Sequence, residues 1–376
     1  MVAENSKCLH FILFFLIFCF FRLDCSGFET DDNSTPIYRW VAGSRVHSGF
    51  LLNHHDHMRV LNEKTPYAYE LFLTRKADGT KPWHSFYRYP TYGASYVLLD
   101  LGSPSYLGNA HCLYPFMQFY LTKEERPVNL NIRFGVGVAY VEKIFDPVHN
   151  YTNVSIGSHL NTFINLGIEG KIRVSTPLNL IGGLALMHLS NGNLKRPNTG
   201  LNYFTAYAGA SYAFGRKKTD SLPKFDLDLD KRWHYTIYFS GGAKTHDNND
   251  ETLYAATGLS LEVSRRHLDF TKFAGTLDLF YNTSDYVYLS ERNENVSKIQ
   301  TLKTGITAGY SFLFGDFSAN LQMGRYIYAK KQNAGLFYQR LALRYEITER
   351  FNVHLGLKTQ WGKADYIEFA VGYRIL

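Results

Sequence analysis

The chain has 376 residues, 45% of them hydrophobic and 16% aromatic, with a net charge of +7. Its mean hydropathy is nonetheless −0.22, so apolar residues are interleaved with polar ones, and no run after the first few dozen residues reaches the roughly 18 apolar positions of a membrane-crossing helix. The Lys and Arg residues are scattered and form no basic helix or stripe, which argues against nucleic acid as a partner.

The chain begins with Lys7 followed by an almost unbroken apolar run over residues 9–21. That length suits the apolar core of a secretory signal and is too short to span a bilayer. A signal peptide over residues 1–27 is expected, with cleavage after Gly27. Cys8, Cys19 and Cys25 lie in this leader and leave only Cys112, so no intrachain disulfide is expected.

Beyond the leader, alternation with period two dominates. Leu130, Ile132, Phe134, Val136, Val138 and Tyr140 share one strand face, with Asn129, Asn131 and Arg133 on the other. The same pattern places Phe351, Val353, Leu355 and Leu357 opposite Asn352, His354 and Lys358. About sixteen such segments can be read, near residues 46–53, 66–76, 91–101, 111–122, 129–141, 159–174, 178–190, 202–214, 233–246, 253–265, 272–284, 303–314, 316–329, 335–346, 350–361 and 366–375. Their length, the charged residues in mid-strand, the aromatic ends and the export signal predict an all-β fold. It is a transmembrane antiparallel outer-membrane β-barrel of about 14–16 strands, apolar face outward.

Domain organisation follows from the same count. The charged stretch 216–232 is the best internal boundary, since the eighth strand before it could close a unit of its own. The halves show no self-similarity, so a single continuous barrel over residues 28–376 is the preferred reading. Lumen-phase Arg133, Lys171, Arg340, Arg344, Lys358 and Arg374 would then line an anion-tolerant channel. A non-enzymatic pore is one alternative function, and a structural barrel with a decayed site is another.

The richest chemistry lies between the seventh and eighth strands. Leu178, Leu180, Leu184 and Leu186 occupy alternate positions, and His188 and Ser190 continue that row. A loop of Asn, Gly and Pro follows, and Asn202 enters the next strand in phase with its apolar face. A histidine beside a serine can take the hydroxyl proton and make it a nucleophile. Attack on an ester builds negative charge on oxygen, and Asn191 and Asn198 are the nearby amide donors. At the outer end of a lipid-facing strand, the substrate within reach is an ester-linked acyl chain of an outer-leaflet lipid.

The run His188-x-Ser190-Asn191-Gly192, followed by Lys195-Arg196-Pro197-Asn198-x-Gly200-Leu201-Asn202, resembles the signature of the PagL-type lipid A 3-O-deacylases (acyloxyacyl hydrolases). The resemblance is tight over residues 188–202 and extends over about 128–214. It implies an outer-membrane barrel that hydrolyses an acyl ester of lipid A in lipopolysaccharide, without cofactor or metal. By the resemblance His188 is the general base, Ser190 the nucleophile, and Asn198, with Asn191, the oxyanion donor. One position departs from the pattern: where the family has a glutamate to orient the histidine, this chain has Asn202. An asparagine can accept the imidazole hydrogen bond but cannot balance the charge of the imidazolium. The lumen-phase Glu169 does not replace it. A homodimer is compatible with the sequence and not required by it.

His47, His54, His55 and His57, with Asp56, are the remaining cluster of note. A metal site there would need converging spacing, which the cluster lacks, so a plain extracellular loop is expected.

Overall fold

The computed structural model describes residues 37–122, 126, 128–175, 177–217, 230–248, 252–292, 295–330 and 335–375. The expected signal peptide lies outside them. The first eight strands are β1 (Ile37–Leu51), β2 (Tyr67–Lys76), β3 (Thr91–Ser103), β4 (Gly108–Tyr120), β5 (Val128–Val141), β6 (Leu160–Arg173), β7 (Leu178–Ser190) and β8 (Leu201–Lys217). The next eight are β9 (His234–Lys244), β10 (Tyr254–Leu268), β11 (Thr271–Asn282), β12 (Lys303–Phe314), β13 (Phe317–Tyr328), β14 (Phe337–Glu346), β15 (Phe351–Gln360) and β16 (Lys363–Arg374). Each coincides with a strand expected from alternation. The main difference is β1, which starts at Ile37 because it pairs along its whole length with the long β8, from Ile37 opposite Lys217 to Leu51 opposite Tyr203.

That pairing corrects the single-barrel expectation. Strands β1 to β8 form one closed antiparallel barrel and β9 to β16 form another. β8 returns to β1, with Ala210 opposite Ser44, and β16 returns to β9, with Ala370 opposite Ser240. Periodicity reports which residues share a face, but closure depends on which two edges meet, and that is a non-local property. Of the stretch 216–232 expected as a boundary, residues 216 and 217 belong to β8 and residues 218–229 lie outside the described ones.

In both barrels the apolar stripes point outward. Leu71 is 62% exposed, Phe239 65% and Phe369 67%, values that only a hydrocarbon surround makes favourable over a continuous belt. None of the described helices is long and apolar enough to cross a membrane.

The interiors are filled. In the first barrel Glu70, fully buried, receives Arg133 Nη1 at 2.6 Å, Tyr114 OH at 2.8 Å, Arg45 Nη1 at 3.0 Å and Ser95 Oγ at 2.5 Å, with His47 Nε2 2.9 Å away. Glu169 joins the same network through Arg45 Nε at 2.8 Å and Gln118 Nε2 at 2.9 Å. In the second barrel Glu262 holds Arg344 in a two-pronged pair at 3.0 and 2.9 Å. Arg340 sits 2.6 Å from Glu368, and Lys358 donates to Asp365 at 2.8 Å and Tyr326 OH at 2.6 Å. The gap among Tyr238, Glu262, Arg340, Arg344 and Glu368 is about 10 Å³, no more than one water requires. An eight-stranded barrel has only enough interior for its own side chains. The basic residues that suggested a channel are therefore, for Arg133, Arg340, Arg344 and Lys358, halves of buried ion pairs.

Candidate active site

The candidate site belongs to the first barrel and forms where β7 ends and β8 begins. Along β7, Asn179, Ile181, Ala185, Met187 and Leu189 are buried inside, while Leu178, Leu180 and Leu184 are exposed outside and His188 continues the outward row. In register, Ile164 of β6 and Asn202 of β8 flank His188, and Thr162 flanks Ser190. The expected alignment of His188, Ser190 and Asn202 on one outward face is thus what strand register produces.

The side chains are tied together in two pairs. Asn202 Oδ1 lies 2.7 Å from His188 Nδ1. An amide oxygen can only accept, so this contact places a proton on Nδ1 and leaves Nε2 as the basic nitrogen. Asn198 Nδ2 donates to Ser190 Oγ at 2.9 Å, and its Oδ1 receives the backbone N–H of Asn191 at 3.1 Å. That second bond fixes which end of the Asn198 amide faces the serine. Ser190 itself is 8% exposed.

The Asn-rich loop makes this geometry possible. Gly200 has φ +76°, and a β-carbon there would stand 3.1 Å from His188 Cε1, so the imidazole rests against a position that only glycine fills without strain. The β5–β6 loop braces the turn from the other side. Ser155 O accepts the N–H of Gly200 at 3.1 Å, and Asn191 Nδ2 donates to Ser158 Oγ at 2.9 Å. The side chain of Asn191 thereby anchors two loops, while Asn198 is the amide in contact with the serine.

Sequence reading missed Ser155, Ser158 and, above all, His54. His54 Nε2 is 3.1 Å from Thr199 O, and its Nδ1 is 3.4 Å from Asn202 Nδ2. It lies 148 residues from Asn202 in sequence, and only the closure of β1 onto β8 brings them together. Of the histidine cluster only His47 stands apart, bonded inside the barrel to Glu70 and Thr205; His54, His55 and His57 stay adjacent, with ring centroids 4.8 and 5.2 Å apart. Among the described residues no group of three or more His, Cys, Asp or Glu converges as a metal site.

A closed antiparallel barrel with an apolar outer belt is the architecture of an outer-membrane β-barrel. Residues 67–211 match the family model of lipid A 3-O-deacylase (PagL), and residues 233–376 match that of the acyloxyacyl hydrolase C-terminal domain. The chain belongs to the PagL family of lipid A deacylases. The first match begins in β2, well before residue 128, and the second covers the β9–β16 barrel. Among solved structures, the outer membrane enzyme PagL is 17% identical over 46% of this chain and 99% of its own, with a TM-score of 0.32. The Acinetobacter baumannii outer membrane protein Omp33 is 7% identical over 90% of this chain and 98% of its own, with a TM-score of 0.18. Likeness at these levels carries no functional argument. No curated protein matches the chain.

Proposed function

We propose that this protein removes an ester-linked acyl chain from lipid A at the outer leaflet by a serine–histidine mechanism. The observation that carries the reading is the outward-facing group in which Asn202 holds His188 Nδ1 and Asn198 holds Ser190 Oγ. In this mechanism His188 Nε2 takes the proton of Ser190 as Oγ attacks the ester carbonyl. The developing oxyanion is stabilised by the Asn198 Nδ2–H group, which is already beside the nucleophile. Collapse of the tetrahedral intermediate breaks the ester bond, and the protonated imidazole gives its proton to the departing sugar oxygen. Water, activated by His188 in turn, releases the fatty acid from Ser190.

Asn202 sets the catalytic level. It supplies the tautomer and orientation that a base requires, but no negative charge to support the imidazolium. It is also the observation that favours the second reading, a decayed hydrolase.

Mass spectrometry of lipid A from a Gram-negative host producing the protein, beside Ser190→Ala and Asn202→Asp, tests the assignment. Loss of one acyl chain with the parent and not with Ser190→Ala supports it and identifies the bond cut. Activity in Asn202→Asp alone would establish the decayed hydrolase, and unchanged lipid A in every case would refute the enzyme reading.

A further inference from the structure

The Asn202 amide has two ends, and only one serves the base. With Oδ1 toward His188, the imidazole carries its proton on Nδ1 and offers a lone pair at Nε2. With the amide turned over, Nδ2–H would face the ring, the proton would move to Nε2, and the histidine could no longer accept from Ser190. A carboxylate has no such wrong end. An asparagine in this position therefore needs a partner on its nitrogen that tells the two orientations apart.

His54 is placed to be that partner. The end of β1 is locked onto Asn202 by the backbone, with Leu52 N–H donating to Asn202 O at 2.8 Å. Two residues on, half-buried His54 presents Nε2 to the carbonyl of Thr199 at 3.1 Å. A carbonyl accepts only, so Nε2 carries a proton, and in the neutral ring Nδ1 is then an acceptor. Asn202 Nδ2 stands 3.4 Å from that nitrogen while Asn202 Oδ1 stands 2.7 Å from His188 Nδ1. Leu52 O is 3.2 Å from the same Nδ1 and would accept a hydrogen bond from it were Nδ1 protonated. The orienting form is thus the neutral imidazole.

We propose that His54 is a positioning residue: it accepts from the Asn202 amide nitrogen, turns the amide oxygen onto His188, and so sets the base tautomer that activates Ser190. The hydrogen-bonded row then runs from Thr199 O through His54 and Asn202 to His188. This deepens the esterase reading and rests on it. It also explains how a site without an acid keeps a defined histidine.

The experiment uses the full-length protein, purified in detergent, acting on lipopolysaccharide micelles. His54→Ala and His54→Asn are made both in the parent and in an Asn202→Asp background, and folding of each is checked by heat-modifiable gel migration. His54→Ala is expected to lower kcat about tenfold with KM within about twofold of the parent. His54→Asn, whose amide oxygen can stand where Nδ1 stood, should keep most of the rate. In the Asn202→Asp background, where either oxygen can accept, His54→Ala should change kcat by less than about twofold. An equal fall in both backgrounds, a change confined to KM, or no change in the parent would overturn the proposal. Nitrogen-15 spectra of labelled histidine read the tautomer of His188 without turnover. Retention of the Nδ1–H form in His54→Ala would overturn the proposal even if the parent proved inactive, whereas failure of the esterase reading appears separately, as a parent no more active than Ser190→Ala.

Discussion

The two barrels are built alike inside and differ at the rim. Each packs its interior with buried carboxylates matched to arginine or lysine, centred on Glu70 and Glu169 in the first and on Glu262, Asp278 and Glu368 in the second. The last hairpin of each is where they part. β15 and β16 are joined through Trp361 and Gly362 at φ +50° and +79°, the two positive angles of a tight hairpin turn. β7 and β8 are joined by ten residues, 191–200, which carry Asn198 and Gly200 and are braced by other loops. With the interior of the first barrel occupied by the Glu70 and Glu169 networks, the group at Ser190 stands on the outside, and an outer hairpin needs a long connection to supply donors. At its last hairpin the first barrel has that connection and the second does not; the second barrel's long connection lies instead between β11 and β12, from residue 283 to 302.

Ser190→Ala breaks this comparison most completely. If the rim of the first barrel holds the only nucleophile used, the variant should lose at least about 10⁴-fold in kcat, measured by release of fatty acid from lipopolysaccharide, while the fold persists. Next come the interiors, where the barrels should behave alike. Glu70→Ala leaves Arg45 and Arg133 buried without their shared carboxylate, and Glu262→Ala does the same to Arg344. Each should cost about 3–5 kcal/mol, read as a lowered temperature for loss of the folded gel form. Glu262→Ala should leave the rate of the folded fraction unchanged. Asn198→Ala follows, with a fall of about 10²–10³ in kcat if its amide stabilises the oxyanion. In planar bilayers neither barrel should conduct steadily, because the lumen-facing cations are already paired.

Much of this was legible in the sequence, for a physical reason. Alternation is a local property, and it located all sixteen strands and the outward phase of His188, Ser190 and Asn202, because a strand with one face in lipid and one in a packed interior must write its pattern residue by residue. The meeting of Asn198 with Ser190 was legible because turn formers and amide side chains sit within the same short run. What escaped was whatever depends on the closing edges. The number of barrels, the pairing of Arg133 with Glu70 across 63 residues, and the approach of His54 to Asn202 are all set by which strands meet. Sequence alone shows the lumen-phase cations without the distant carboxylates that pair with them, which is the pattern of a channel lining.

The smallest expected effect bears on the most informative residue. Asn202→Asp keeps the length of the side chain that reaches His188 at 2.7 Å and changes only its charge. The hydrogen bond that sets the tautomer is already present in the parent, so the gain comes solely from stabilising the imidazolium formed as Ser190 attacks. A rise in kcat of about tenfold, with KM little changed, is expected, well below the roughly 10⁴-fold that separates acid from amide where the amide also presents the wrong tautomer. A rise approaching that larger figure would mean that Asn202 does not hold the base tautomer in solution, and that the His54 contact fails to orient it. A negligible rise would mean that the rim of the first barrel stabilises the imidazolium by other groups, and that the amide costs this enzyme nothing.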